Sequence, residues 1–395
     1  MKTLFSTALV ICGMFAAVNS MFAQSWTNTS APIGNWWGIA SSADGTKLVS
    51  TQSPGLIYIS TNSGVTWTNT SAPYTGWDSV ASSADGTKLV AVGAGIEHSP
   101  DSGTTWISNN VPNFHWWSVA SSADGTKLVA VAENQSAGYL GPIYTSSDSG
   151  NTWTPTLAPN EIWTSVASSA DGTRLAAVAV NSAIYTSTNS GANWMTNNVP
   201  QLFWYSIASS ADGMKLVAVA QPEGSPNSAL YTSTNGGLNW FQQSNAPNAY
   251  WSAVASSADG TKLIAAPDGG NVYTSTNSGL TWLTNNVSGV WYAVASSADG
   301  GLLMAETPAN VGGSGGIYIS QTALPPQLNI APTSGDLMLS WLVPSTNFVL
   351  EESPDLSPGS WATLTNTPTL NFSNLQEQVS FLPTNSSGFF RLVAQ

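Results

Sequence analysis

Residues 77–117 of the chain read WDSVASSADGTKLVAVGAGIEHSPDSGTTWISNNVPNFHWW. Five residues within this stretch, Ser-Ser-Ala-Asp-Gly, decide the fold because the same five letters occur seven times along the chain. The Asp residues of the seven copies are Asp44, Asp85, Asp124, Asp171, Asp212, Asp259 and Asp299. Adjacent copies lie 39 to 47 residues apart, so the chain is a tandem repeat whose units are about 40 residues long.

The unit that begins at Trp77 contains four short β-rich stretches, which we name strands A to D. They are residues 77–82, 88–92, 96–99 and 105–108, and Gly and Asp residues lie in the turns between them. No stretch is long enough for a helix of useful length. A period near 40 residues with four strands per unit is typical of a β-propeller blade, so the sequence predicts an all-β fold.

A second motif, Ser-x-Asn/Asp-x-Gly-x-x-Trp, lies between strands C and D. Its six copies run over residues 60–67, 99–106, 146–153, 187–194, 233–240 and 275–282. The motif resembles the Asp box (BNR repeat) of sialidase-like propellers, and the resemblance covers roughly residues 25–321. We expect its Asn/Asp and Trp side chains to be structural, namely Asn62, Trp67, Asp101, Trp106, Asp148, Trp153, Asn189, Trp194, Asn235, Trp240, Asn277 and Trp282.

The ends of the repeat array predict how the ring closes. The seventh unit stops after residues 317–320, before any strand D, whereas residues 26–32 repeat residues 67–73 letter for letter. The N-terminal segment therefore supplies strand D of the last unit, which predicts a seven-bladed β-propeller closed by the N-terminal strand over residues 24–321. Residues 322–327 are expected to be a linker, and the alternating apolar pattern of residues 328–395 predicts a small C-terminal β-sandwich-like domain, similar to modules on secreted proteins of environmental bacteria.

The N-terminus and the composition predict secretion. Residues 1–23 contain Lys2, an apolar run from Leu4 to Val18 and a small-residue site near Ala23, as in a secretory signal peptide. We expect no membrane span and a monomer. The formal charge of −13 disfavours nucleic acid and anionic lipid as partners. Only His98 and His115 are present and the single Cys lies in the leader, so we predict no metal site and no cofactor.

The predicted topology separates two faces of the disc. The repeated motifs share one face, whereas the B–C and D–A loops, which vary in length and carry acidic residues, share the other. The residue after the Trp that begins strand A is aromatic in four units, and aromatic rings beside carboxylates are typical of neutral-sugar sites. The candidate ligand-binding residues are Trp37, Trp117, Tyr205, Tyr292, Asp78, Glu133, Glu161, Glu223, Asp268 and Glu306.

Three functions remain open from the sequence, and no catalytic residue is assigned. The favoured hypothesis is a secreted, non-catalytic propeller that recognises neutral glycans at an acidic, aromatic channel mouth. The alternatives are a scaffold for extracellular protein partners, similar to Asp-box propellers that help to assemble photosystems, and a glycoside hydrolase resembling the Asp-box endoglucanases, with two of the acidic residues as its carboxylate pair. Sialidase activity is disfavoured, because Arg174 and Arg391 are the only arginines and cannot form the three-arginine grip on a carboxylate.

Overall fold

A computed structural model describes most of the chain. The described residues are 24–221, 228–310, 312–322, 328–332, 336–343, 348–354, 357, 359–372, 375–381 and 389–394. The predicted signal peptide (1–23), the candidate Glu223, and all of the predicted linker except residue 322 lie outside them.

Short antiparallel strands make up nearly all of the regular structure between residues 27 and 321. Strand β1 (Thr27–Asn28) comes first. The first sheet contains β2 (Trp36–Ser41), β3 (Leu48–Gln52), β4 (Ile57–Ser60) and β5 (Thr68–Asn69); the second contains β6 (Trp77–Ser82), β7 (Leu89–Gly93), β8 (Ile96–Ser99) and β9 (Ile107–Ser108). The third contains β10 (His115–Ser121), β11 (Leu128–Glu133), β12 (Ile143–Ser146) and β13 (Thr154–Pro155), with a 3-10 turn at Gln135–Ala137.

The later sheets repeat this order with two changes. The fourth contains β14 (Trp163–Ser168), β15 (Leu175–Ala179), β16 (Ile184–Ser187) and β17 (Met195–Thr196); the fifth contains β18 (Phe203–Ser209), β19 (Leu216–Gln221), β20 (Ala229–Ser233) and β21 (Phe241–Gln242). In the sixth, one long strand replaces two, giving β22 (Trp251–Ser256), β23 (Leu263–Ser275) and β24 (Leu283–Val290). The seventh contains β25 (Ala293–Ser296), β26 (Leu302–Glu306) and β27 (Ile317–Gln321), and β1 is its fourth strand.

The sheets form a closed ring. The first strand of each sheet packs against the first strand of the next, and β25 of the seventh sheet packs against β2 of the first. Strand β1 pairs antiparallel with β27, with Thr27 opposite Ile319 and Asn28 opposite Tyr318. The N-terminal segment therefore pairs with the last repeat unit, as the duplicated heptapeptide predicts. We name the interface between the seventh and first sheets the closure seam.

A ring of backbone hydrogen bonds joins the inner ends of the sheets. Each Ala of a Ser-Ser-Ala-Asp-Gly turn donates its N–H to the carbonyl of the equivalent Ala in the next sheet, over 2.7–2.8 Å. The alanines are Ala43, Ala84, Ala123, Ala170, Ala211, Ala258 and Ala298, and Ala298 donates back to Ala43. Only a small side chain suits this crowded ring, which explains why the repeat keeps Ala here. We name this end of the ring the motif face and the opposite end, where the inner strands begin, the mouth face.

Tryptophan fills the space between neighbouring sheets. The Trp that begins each repeat unit is at most 1% exposed in all seven cases: Trp36, Trp77, Trp116, Trp163, Trp204, Trp251 and Trp291. Six of them meet the edge of a Tyr ring of the same sheet, as Trp204 does with Tyr231 at 5.3 Å between ring centroids. In the second sheet Glu97 stands where the other sheets have this Tyr. Packing between the sheets therefore buries all seven of these Trp rings.

The C-terminal strands form two further sheets. One has the order β28 (Asn329–Pro332), β29 (Leu337–Leu342), β33 (Gln376–Phe381), β32 (Thr369–Asn371); the other has β31 (Ala362–Thr363), β30 (Phe348–Ser353), β34 (Phe389–Ala394). Leu339, Trp341, Leu350 and Val379 are their buried core. Val343 and Leu375 pack on the alanine ring, and Leu375 also lines a cavity of about 160 Å³ within the surrounding serines. The connections next to β29 and β33 therefore contact the ring at the motif face.

Candidate functional site

The mouth face carries a ring of side chains that leave the regular strand ladder. In the first six sheets the register between the two innermost strands shifts directly after the buried Trp, so the next residue is bulged. The bulged residues are Trp37, Asp78, Trp117, Thr164, Tyr205 and Ser252, and Tyr292 follows Trp291 in the seventh sheet. A bulge turns its side chain away from the normal alternation. Four of these seven residues are the aromatic candidates from the sequence.

The two short side chains show where the bulge directs its residue. Thr164 Oγ1 donates a hydrogen bond to the carbonyl of Trp204 at 2.8 Å, and Ser252 Oγ donates to the carbonyl of Trp291 at 2.7 Å. Each acceptor is the carbonyl of the buried Trp at the start of the next repeat unit around the ring. Larger side chains at this position therefore meet their neighbours across the sheet interfaces, around the mouth of the channel.

The most connected group at the mouth joins the second and third sheets. His115 Nε2 lies 2.9 Å from Asp78 Oδ2, and His115 Nδ1 lies 3.8 Å from Glu133 Oε2. The indole N–H of Trp117 donates to the same Oε2 of Glu133. The His115 and Trp117 rings meet edge to face, with 4.7 Å between their centroids. We name Asp78, His115, Trp117 and Glu133 the histidine cluster.

The histidine cluster combines carboxylates with an imidazole of raised basicity. The side chains of Asp78 and Glu133 are each only 8% exposed, against 30% for His115. The hydrogen bond to Asp78 is the largest influence on the imidazole, and the charges of Asp78 and Glu133 act in the same direction. Together they outweigh desolvation and raise the pKa of His115 above its usual value. The protonated imidazole is the form that can donate to both carboxylates.

Trp37 and Tyr292 form a second aromatic group, which lies at the closure seam. Their rings meet edge to face with 4.8 Å between centroids. The buried Trp37 Nε1 has no hydrogen-bond partner. Burial raises the pKa of the Tyr292 hydroxyl, and the negative charge of Asp268 adds to that rise. This group is therefore a half-buried aromatic pair in which the buried indole N–H of Trp37 has no acceptor.

The remaining candidates are spread over the mouth face. Tyr205 is 42% exposed, and Asp268 is exposed. Glu161 Oε1 accepts a hydrogen bond from the Tyr185 hydroxyl at 2.7 Å, which occupies that carboxylate oxygen. Glu223 lies outside the described residues.

Glu306 requires a correction, because the sequence analysis placed it on the accessible acidic face. The structure places it 0% exposed between the seventh and first sheets, where its Oε2 accepts from the Ser50 hydroxyl. Four other sheets have a buried Val at the position that Glu306 occupies on β26, so the Glu306 side chain enters the core. Glu306 therefore cannot contact a ligand at the mouth.

His115 is the functional candidate that sequence reasoning missed. Its signal was its place immediately before Trp116 and Trp117, at the head of an inner strand. The sequence indicated His115 only as a conceivable zinc ligand. Within the part of the chain that the structure describes, no group of three or more His, Cys, Asp or Glu residues is arranged to hold a metal ion.

The Ser-x-Asn/Asp-x-Gly-x-x-Trp segments are hydrogen-bonded turns away from the mouth. Asn62 Oδ1 accepts from the Ser60 hydroxyl at 3.0 Å and from the backbone N–H of Thr66 at 2.9 Å. The same two bonds recur at Asp101, Asp148, Asn189, Asn235 and Asn277. The Trp residues that end the segments, namely Trp67, Trp106, Trp153, Trp194, Trp240 and Trp282, are all half-buried. The Asn/Asp residues of these segments therefore form turns, and their Trp residues contribute to packing.

Solved structures of other proteins share this fold. YCF48 bound to D1 peptide is 15% identical with a TM-score of 0.56, covering 76% of this chain and 98% of that one. The GH74 xyloglucanase from Xanthomonas campestris is 15% identical with a TM-score of 0.58, covering 81% of this chain and 59% of that one. The Cps50 (Swd1) β-propeller domain of Myceliophteria thermophila is 12% identical with a TM-score of 0.57, covering 76% and 100%.

The sequence matches no protein-family model and no curated protein. Among the described residues, no helix has the length and apolar character to cross a membrane. Identities of 12–15% show the fold alone. Together with the ring of antiparallel sheets, these similarities show that the chain folds as a β-propeller.

Proposed function

We propose that this protein is a secreted, seven-bladed β-propeller of the Asp-box type that binds neutral glycans at its mouth face without transforming them. The observation that carries the proposal is that the residue after the buried Trp is aromatic in four sheets, namely Trp37, Trp117, Tyr205 and Tyr292, and that the first three of these lie at bulges. Aromatic faces stack on the apolar faces of sugar rings, and neighbouring carboxylates accept hydrogen bonds from hydroxyl groups. Asp78 and Glu133 are the carboxylates beside Trp117.

The proposed domain division has its own support. We take the seven sheets of residues 24–321 as seven blades, because the alanine hydrogen bonds return to their start after seven steps. Residues 328–395 would then be a small β domain that covers the motif face, which leaves the mouth face as the accessible end of the channel. The contacts of Val343 and Leu375 with the alanine ring support this arrangement and favour a ligand site at the opposite end.

Secretion would leave Gln24 as the first residue, after removal of residues 1–23. The Gln24 backbone N donates to Asn285 Oδ1 at 3.0 Å, and Asn285 is fully buried. A chain that starts at Gln24 would thus be anchored at its end. N-terminal sequencing of the exported protein should begin at Gln24; recovery of the intact leader on a protein retained in the cell would contradict this proposal.

The glycan proposal is tested with the mature chain, residues 24–395, on a glycan array and a polysaccharide panel, with sugar release monitored in parallel. We expect binding without product, and loss of binding in a Trp37→Ala/Trp117→Ala variant. Phe241→Ala is the matched control, because Phe241 is an exposed aromatic (62%) on the outer strand β21. Thermal melts establish that both variants are folded. Failure to bind any glycan would exclude the proposal, and released sugar would favour a glycoside hydrolase.

A protein-interaction scaffold is the second candidate function. The loops on the mouth face expose several large apolar side chains, which are Ile33 (82%), Tyr74 (69%), Tyr139 (53%), Leu157 (83%) and Tyr250 (51%). Large apolar side chains exposed on one face are candidate contacts for a protein partner. One neighbour, YCF48, was solved with a bound peptide. Binding of a protein partner that Tyr74→Ala/Leu157→Ala abolishes, in a chain that binds no glycan, would establish this function.

A further inference from the structure

We propose that Asp78, His115 and Glu133 form a proton-controlled positioning relay that fixes the indole of Trp117 at the channel mouth. The inference deepens the proposed glycan-binding function, on which the role of Trp117 as a ligand contact rests. The relay assigns no bond-making step to these residues. His115 acts on the ligand through Glu133 and Trp117, so it is a positioning residue.

The contacts place the imidazole at the centre of a chain of polar groups. Asp78 lies on β6 of the second sheet, whereas His115 and Trp117 lie on β10 and Glu133 on β11 of the third. Glu133 Oε2 accepts the Trp117 indole N–H and also faces His115 Nδ1 at 3.8 Å. One carboxylate oxygen therefore links the orientation of the indole to the charge of the imidazole.

The imidazole is the source of positive charge for both carboxylates. Strands β6, β7, β11 and β14 pack against β10. Of these, β6 and β11 present Asp78 and Glu133, while β7 (Leu89–Gly93) and β14 (Trp163–Ser168) contain no titratable side chain. The Lys and Arg residues of the ring are each the second residue after a Ser-Ser-Ala-Asp-Gly turn, at the motif face. The Asp78 and Glu133 side chains are each only 8% exposed, and the protonated imidazole of His115 is the positive group that compensates the charges of these carboxylates.

Loss of the proton changes the two contacts unequally. The neutral ring has one N–H, and the 2.9 Å contact to Asp78 is the better place for it than the 3.8 Å contact to Glu133. Nδ1 then presents a lone pair to Glu133, which repels its carboxylate. Glu133 is released towards water, and the Trp117 indole loses its fixed acceptor. Protonated His115 therefore holds Trp117 in place, and neutral His115 frees it.

The relay is tested on the ligand-free mature chain by NMR. The Trp117 indole N–H resonance is assigned with Trp117→Phe, and the imidazole C–H resonance of His115 with His115→Gln. We expect both resonances to titrate with one shared midpoint, above the usual histidine value of about 6.5. We also expect His115→Gln to abolish the pH-dependent shift of the Trp117 resonance. His98→Gln is the matched control, because His98 pairs with Asn109 on the outer side of the second sheet, and it should leave that shift unchanged.

A Trp117 resonance that stays constant while His115 titrates would overturn the relay. His115→Lys keeps a positive charge throughout the pH range in which histidine titrates and should hold the Trp117 resonance at its low-pH position; a shift that persists over that range in this folded variant would also overturn the relay. Because no ligand is needed, a coupled titration in a chain that binds no glycan would support the relay and reject the proposed function. Glycan binding with uncoupled titrations would do the reverse.

Discussion

Glu306 on β26 accepts a hydrogen bond from the Ser50 hydroxyl on β3 across the closure seam, with 2.8 Å between Oε2 and Oγ. Glu306 is fully buried, and its Oε1 has no hydrogen-bond partner. The strand registers show which residues stand at these two positions in the other sheets. At the Glu306 position the first sheet has Thr51 and the remaining five have Val or Ala. At the Ser50 position all six other sheets have Ala. The seam is therefore the interface where an apolar contact is replaced by a carboxyl–hydroxyl pair.

This pair should make the stability of the ring depend on pH. Burial raises the pKa of Glu306 from 4.5 to about 8, and the Ser50 bond opposes that rise only in part. The folded state therefore holds the proton more tightly than the unfolded chain. The contribution of Glu306 to the free energy of unfolding is fully present below the pKa that Glu306 has in the unfolded chain. This contribution falls as the pH rises from 4.5 to about 8, and then levels off. The total loss in the free energy of unfolding is roughly 5 kcal/mol.

Urea unfolding of the mature chain at a series of pH values measures this loss. Glu306→Gln should flatten the curve over that range, because the amide does not titrate. Asp268→Asn, which removes an exposed carboxylate, is the control and should leave the curve parallel to that of the wild type. Parallel curves for the wild type and Glu306→Gln would contradict the assignment of the pH dependence to Glu306.

Restoring the apolar contact should stabilise the seam. A Ser50→Ala/Glu306→Val variant gives the closure seam the Ala–Val pair found between the second and third sheets, where Val92 and Ala130 share one core cluster. Replacing a buried polar pair by apolar residues of similar volume is commonly neutral or stabilising by about 1–4 kcal/mol. Ser50→Ala alone should destabilise by about 1–3 kcal/mol, because it leaves Glu306 without its donor. Unfolding at pH 9 measures both; a double variant less stable than the wild type would refute the expectation.

Adjacent aromatic residues on β18 should separate packing from surface roles. Trp204 is fully buried and Tyr205 is 42% exposed. We expect Trp204→Ala to lower the free energy of unfolding by about 3–5 kcal/mol, because it empties the space between the fourth and fifth sheets. Tyr205→Ala should change it by no more than about 0.5 kcal/mol. Chemical denaturation compares the two, and equal losses would show that Tyr205 also carries core packing.

The repeat made the all-β propeller predictable, because period, turn residues and strand pattern agree in every unit. The site was only partly predictable. Trp36 and Trp37 are adjacent and chemically identical, yet one is fully buried and the other half-buried. The two side chains point in different directions because of the bulge in β2. This bulge arises from the pairing of β2 with β3, which the sequence pattern alone does not reveal.

Histidine and glutamate show the same limit. The partners of His115 lie 37 residues before it and 18 residues after it in the chain, so only the packing of the second and third sheets brings the three together. Glu306 resembles the acidic residues of the variable loops by type, but the register of β26 turns it into the core. Residue type predicted charge at the mouth; strand register decided which charges reach it.

The N-terminal strand should be the least firmly held part of the ring, because no turn joins β1 to β27. The Thr29 N–H donates to the Ile317 carbonyl at 2.9 Å. Thr29→Pro removes this donor and leaves the carbonyl unpaired, at a cost of about 1–3 kcal/mol. Thr29→Ala keeps the N–H and serves as the control. Native-state hydrogen exchange should show faster exchange along β1 and β27 in the Pro variant, with the β4–β5 pair of the first sheet unchanged. Equal exchange in the Pro and Ala variants would mean that other contacts hold the seam closed when this bond is lost.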